Sequence, residues 1–160
     1  MQIADVTKAD LDAVLALNES SVPHVSSIDL EKMRWFAERA FYFRVAHVGG
    51  RFAGFLIGLR PGLDYGSENY RWFCQNYIDF GYIDRVAVAP EARRLGVAST
   101  LYDDFANELQ GQVKVMTCEV NIRPPNDASM RYHELYGFKR IASQQTENGQ
   151  KEVALMEKRL

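Results

Sequence analysis

The chain has 160 residues, enough for one domain with a substantial buried core, and its 47% hydrophobic and 25% charged content is ordinary for a globular protein. A formal net charge of -2 gives no electrostatic reason to expect nucleic acid or an acidic membrane as partner, and no apolar run approaches the roughly 20 residues that span a bilayer. The opening Met-Gln-Ile-Ala-Asp has neither the basic nor the apolar region of a signal peptide, and Cys74 and Cys118 form no CxxC pair, so a reduced, cytoplasmic setting is expected.

Residues 3–6 read as a first strand. Thr7 and Asp10 then make a helix-start signal, with Leu11, Val14, Leu15 and Asn18 following at helical spacing. The polar segment 18–27, which contains Pro23, is a loop. A second helix over 29–40 carries Leu30, Met33, Trp35, Phe36 and Ala37 on its apolar side. Strands over 41–48 and 52–59 are joined by Gly49-Gly50, a hairpin signal. Residues 60–76 read as an irregular connection rich in aromatics (Tyr65, Tyr70, Trp72, Phe73), with Tyr77 just beyond. A strand over 78–88 and a helix over 96–109 follow, then a buried-type strand over 113–120. Pro124-Pro125-Asn126 breaks the chain before a helix over 127–136 that Gly137 caps. Residues 138–145 and 152–160 close the chain as a hairpin across Asn148-Gly149. The order β-α-α-β-β-β-α-β-α-β-β describes a mixed α/β domain with a central sheet and no internal repeat or linker.

The segment after the 78–88 strand has the makings of an anion cradle. The first N–H groups of a helix have no internal partners, and the helix dipole places partial positive charge there. Gly96 and Ala98 remove bulk where a phosphate would approach the backbone, and Arg93 and Arg94 add full charge beside those amides. Taken alone, an ordinary helix start with surface arginines explains the segment equally well.

Arg93-x-x-Gly96-x-Ala98, placed after Val86-Ala87-Val88-Ala89-Pro90, resembles the acetyl-CoA motif of the GNAT superfamily of N-acetyltransferases. The segment Asn126-Asp127-Ala128-Ser129-Met130-Arg131-Tyr132-His133-Glu134-Leu135-Tyr136-Gly137-Phe138 is similar to that family's second motif, and the element order also matches. The resemblance implies one GNAT-like α/β (α+β) domain over residues 1–160. Its sheet would be twisted, mixed but mostly antiparallel, of about seven strands flanked by about four helices, and splayed at the cofactor strand. It also implies acetyl-CoA as acyl donor and an amine as acceptor.

Carried onto this chain, the resemblance assigns the pyrophosphate to the amides of Arg94, Leu95, Gly96, Val97, Ala98 and Ser99, beside Arg93. It assigns the pantetheine amides to the strand edge at Val86, Ala87 and Val88, like an added strand. The Val88 N–H would face the thioester carbonyl, where it can stabilise negative charge. Asn126 would contact the cofactor, and serving as N-cap of the next helix is equally good physics for it.

Attack by an amine needs a neutral nucleophile, so a base must take a proton from it directly or through water. Glu119, near the end of the 113–120 strand, is the first candidate, although the chain has two more residues between it and the Asn than the family does. Thr117, Glu119 and Asn121 alternate onto one face, away from Cys118 and Val120. Asp84 competes as base, because it faces the same way as Val86 and Val88.

Many GNAT enzymes carry a Tyr, as proton donor to the departing thiolate, where this chain has His133. An imidazolium of pKa about 6.5 can protonate a thiolate of pKa about 8.5. Ser129, Tyr132 and Tyr136 lie close at helical spacing, so either tyrosine is an alternative donor. Cys118 suggests an acyl-cysteine, but a small buried strand cysteine is the simpler account. His24 and His47 have no partners at metal-ligand spacing, and no metal is expected.

Segments 18–27 and 60–76 flank the splayed strands in this family and should select the acceptor. Asp64 and Glu68 among aromatics would suit a cationic amine. Packing on the domain, or a homodimer contact, is another use for those rings. A non-catalytic acyl-CoA-binding module is the alternative to an enzyme. A different nucleotide binder is disfavoured by the lack of a GxGxxG or Gly-Lys-Ser/Thr loop.

Overall fold

The computed structural model describes residues 1–160 and turns those local signals into seven strands and five helices. The strands are β1 (Gln2–Asp5), β2 (Tyr42–Val48), β3 (Arg51–Leu59), β4 (Gly81–Val88), β5 (Val115–Arg123), β6 (Lys139–Thr146) and β7 (Lys151–Arg159). The helices are α1 (Leu11–Ser20), α2 (Leu30–Arg39), α3 (Glu68–Asn76), α4 (Val97–Leu109) and α5 (Asp127–Tyr136). The strands form one sheet in the order β1-β2-β3-β4-β5-β7-β6. The β1–β2, β2–β3, β5–β7 and β6–β7 pairs are antiparallel, and β4–β5 is parallel. This is the mixed, mostly antiparallel sheet that the sequence implied. Pairing of β4 with β5 is confined to Gly81↔Met116 and Tyr82↔Thr117, so the ladder stops early on the strand expected to take the cofactor.

The chain divides into two compact units, Met1–Leu59 with Asp84–Glu108, and Arg60–Ile83 with Leu109–Leu160. In the first, Thr7 and Asp10 close the expected capping box, with Asp10 Oδ2 accepting from Thr7 N at 2.8 Å and from Thr7 Oγ1 at 2.6 Å. Val14, Met33, Phe36, Phe55, Leu56, Ile57, Leu101, Tyr102 and Phe105 form its buried core. The β3 strand packs so tightly on α4 that a Cβ at Gly58 would meet the Phe105 ring at 2.5 Å, and only glycine leaves room for the ring. At the margin of the core, Arg44 ties β2 to α4 through Asp104 at 2.6 Å and Glu108 at 2.8 Å.

The second unit corrects one expectation. The 60–76 connection is not wholly irregular, because Glu68–Asn76 is a helix. Ser67 caps it by accepting from Tyr70 N at 3.2 Å, and Tyr70, Phe73 and Tyr77 then recur on one face. Those rings meet Phe80 and Tyr82 at centroid distances of 5.6–6.2 Å in an aromatic core. Aromatic residues are indifferent helix formers and the segment is short, so its helicity comes from this burial and not from propensity. The following strand likewise starts at Gly81 and not at residue 78, where Ile78 is fully exposed. Asp79 is held instead by Arg60 at 2.9 Å.

Candidate active site

The sequence-derived site residues fall into two groups, one in each unit. In the first unit, Ala89 N donates to Ala53 O of β3 at 2.9 Å. Backbone groups alternate along a strand, so the Val88 N–H is directed to the opposite edge of β4. Val86 and Val88 are half-buried, whereas Ala87 and Ala89 are buried, so the side chains alternate between a more open and a closed face of the strand.

A short 3-10 turn, Pro90–Ala92, leads into the turn over 93–96. Arg94 (φ 63) and Gly96 (φ 80) both take the left-handed conformation there. Left-handed residues in a turn point successive N–H groups into a concavity, the usual backbone nest for an anion. A Cβ on Gly96 would meet nothing within 4 Å, so glycine answers the backbone angle and not a lack of room. Leu95 N already donates to Ala92 O at 3.4 Å, and the first bond of α4 to a carbonyl four residues back runs from Thr100 N to Gly96 O at 2.9 Å. The N–H groups of Gly96, Val97 and Ala98 precede it and have no carbonyl four residues back in the helix. Val97 is buried and anchors the turn, while Arg93, Arg94 and Leu95 are exposed and Ser99 half-buried. Open space, a nest and two exposed guanidinium groups fit a pyrophosphate.

In the second unit, Glu119 lies on β5 with Thr117 and Asn121 on its face. Its Oε2 accepts from the Tyr82 hydroxyl at 2.7 Å. Tyr82 is fully buried among Tyr70 and Phe73, with its ring fixed by packing, so it holds the carboxylate in one orientation. The sequence did not single out Tyr82. Only the parallel register Tyr82↔Thr117 brings it beside Glu119.

A register shift lies between Asn121 and Arg123, and in the turn that follows Asn126 N donates to Asn121 O at 3.2 Å. Asn126 caps α5, accepting from Ser129 N at 3.2 Å, as its helix-start position predicted. Gly137 (φ 106) ends the same helix in the left-handed conformation.

The structure alters what His133 can do. Its Nδ1 lies 2.7 Å from Ser129 O, which can only accept, so Nδ1 carries the proton; Ser129 Oγ is 3.3 Å away. The ring is 5% exposed and packs against Phe138 and Tyr132. Burial lowers its pKa, against the raising effect of the Ser129 carbonyl, so the neutral form prevails at pH 7 and the expected imidazolium donor is scarce. Tyr132 and Tyr136 are half-buried and stack at 6.0 Å, with Lys158 Nζ 3.8 Å over the Tyr136 ring.

Linkage makes this testable. The unfolded chain protonates His133 near pH 6.5, but the folded chain does so only at lower pH. Stability from this site is therefore complete above about pH 6.5 and declines as pH falls toward the lowered value. Urea unfolding at about pH 5 and about pH 7.5 should show a smaller acid loss for His133→Gln than for the parent chain. Equal losses would refute the buried neutral imidazole.

Asp84 is 3% exposed at the side chain and pairs with Arg85 at 2.7 Å, so its charge is already matched. Cys118 is buried and desolvation pushes its thiol well up, which removes the thiolate that an acyl-cysteine requires. In the 60–76 segment Tyr70 and Phe73 are core residues, while Asp64 and Glu68 are exposed.

A model of the acetyltransferase (GNAT) family matches residues 11–138. The N-alpha-acetyltransferase of Sulfurisphaera tokodaii is 21% identical over 142 residues, covering 88% of this chain and 81% of its own. Among solved structures, Ard1 from Thermoplasma volcanium has a TM-score of 0.79 at 20% identity, covering 99% of this chain and 97% of its own. A chain from the NatC complex bound to Gag peptide and CoA has a TM-score of 0.73 at 17% identity, covering 100% of this chain and 99% of its own. With most of its length inside the family match and the same fold in these structures, the chain belongs to the acetyltransferase (GNAT) family.

Proposed function

We propose that residues 1–160 form one N-acetyltransferase domain that moves an acetyl group from acetyl-CoA to the α-amine of a peptide or small molecule by direct attack. The nest at Arg94 and Gly96, opening into the N-terminus of α4, carries the donor half of this reading. The N-alpha-acetyltransferase relative and the CoA- and peptide-bound NatC structure support the choice of donor and acceptor.

Bound acetyl-CoA supplies an activated acyl thioester. In this reading the amides of Arg94 and of Gly96 to Ser99, with the Arg93 and Arg94 side chains, hold its pyrophosphate, while the Leu95 amide, paired with Ala92 O, does not. The β4 edge at Val86, Ala87 and Val88 aligns the pantetheine, and the Val88 N–H donates to the acyl oxygen as negative charge develops on it. Asn126 and Ser129 contribute cofactor contacts at the start of α5. Glu119, aimed by Tyr82, takes the proton from the incoming amine through water. A proton for the departing thiolate falls to Tyr132 or Tyr136 in preference to His133, whose neutral ring offers Nε2 only as an acceptor.

Purified protein should release CoA thiol from acetyl-CoA with some members of a panel of free-N-terminus peptides and small amines, each product gaining one acetyl mass. Tight acetyl-CoA binding in a calorimeter with no turnover across the panel would establish the non-catalytic binding module instead.

A further inference from the structure

Arg85 lies on β4 immediately before Val86–Val88, yet its guanidinium is directed to the loop between α1 and α2. The Nη1 donates to Asn18 Oδ1 at 3.0 Å and to Ser26 O at 3.2 Å, and Nη2 donates to Ser26 Oγ at 3.3 Å. Nε donates to the adjacent Asp84 at 2.7 Å. Phe36 lies beneath the guanidinium at 5.1 Å. Arg85 is 4% exposed and Asn18 fully buried.

The loop is closed from its own side as well. Asn18 Nδ2 donates to Ser26 O at 3.1 Å and to Glu19 Oε1 at 2.9 Å. Glu19 in turn accepts from Ser27 Oγ at 2.6 Å and Ile28 N at 3.0 Å. These contacts, with the Ser27 bond first, lower the Glu19 pKa and keep the carboxylate ionised at pH 7.

A buried ion pair is a poor device for stability, because apolar replacements of similar volume often do as well. What this pair does supply is geometry. A planar fork with five donors can hold Asn18 of α1 and Ser26 of the loop at once in fixed directions, which an apolar side chain cannot do and the point charge of a lysine does less rigidly. Fixing a loop in advance removes its ordering cost from ligand binding.

We infer that Arg85 is a positioning residue that holds segment 18–28 in a single shape and thereby sets acceptor affinity and selectivity. This rests on the acyl-transfer reading, in which that segment selects the acceptor. It also places loop control and the pantetheine edge on successive residues of one strand.

The test compares the full-length chain with Arg85→Lys and with Glu19→Ala. The second variant changes an exposed position and keeps the test open if the first does not fold. Hydrogen exchange of the amides of 21–28, Pro23 having none, should quicken about tenfold or more in both variants, with β3 and α4 amides unchanged. Calorimetry should give the parent affinity for acetyl-CoA. On the free-N-terminus peptide panel, KM for the best peptide should rise about tenfold with kcat nearly constant, and discrimination among peptides should narrow. Unchanged loop exchange overturns the positioning role. A quickened loop with unchanged KM and selectivity overturns the link to the acceptor, as does a fall in kcat alone. If the parent chain acetylates nothing, acyl transfer and acceptor selection fall together, and loop exchange still decides whether Arg85 holds the segment.

Discussion

Glu119→Gln should lower kcat about 10²–10³-fold while leaving acetyl-CoA affinity unchanged, because a positioned general base contributes about that much. The substitution preserves shape and the hydrogen bond from Tyr82, and removes only the capacity to take a proton. Tyr82→Phe should lie between the variant and the parent. It keeps the base but removes a hydrogen bond to a charged group, worth about 1.5–3 kcal/mol, so a loss of about tenfold or more in kcat is expected. Steady-state kinetics with the best acceptor, and calorimetry with acetyl-CoA, separate the two effects. A Glu119→Gln protein of parental kcat would remove Glu119 from the chemistry.

Phe105→Ala should be the most damaging core change, costing about 3–5 kcal/mol and lowering Tm by about 10–15 °C. Phe105 is fully buried, touches Tyr42 at a centroid distance of 5.0 Å, and fills the space that Gly58 leaves. Gly58→Ala alone should cost about 1–3 kcal/mol by overpacking against the ring. In the double variant the new methyl enters the vacated space, so the combined loss should fall short of the sum by about 1 kcal/mol or more. Chemical denaturation of the four proteins completes the cycle. Strict additivity would mean that the ring swings aside and the fit of β3 to α4 is looser than it looks.

Apart from α3, the element order, the left-handed turn at Gly96 and the Asn126 cap were legible in the residues, because each depends on neighbours a few positions apart. Alternation predicts strands, a capping residue predicts a helix start, and a glycine at a left-handed position predicts a turn. The α3 helix was not legible, since its aromatic face is stabilised by Phe80 and Tyr82 and its intrinsic propensity is weak. Nor was the state of His133. Spacing placed it in the second motif, but only packing against Phe138 shows that its charge is disfavoured there.

The most informative site contacts join residues far apart in the chain: Tyr82 with Glu119, 37 positions on, and Asn18 with Arg85, 67 positions on. The sequence by itself determined the family's fold and the form of the anion cradle, because hydrogen-bond needs and side-chain periodicity act locally. Tertiary structure alone decided which carboxylate is already paired, which is aimed by a tyrosine, and which loop an arginine holds. Those outcomes depend on strand register and burial, and no short stretch of residues encodes either.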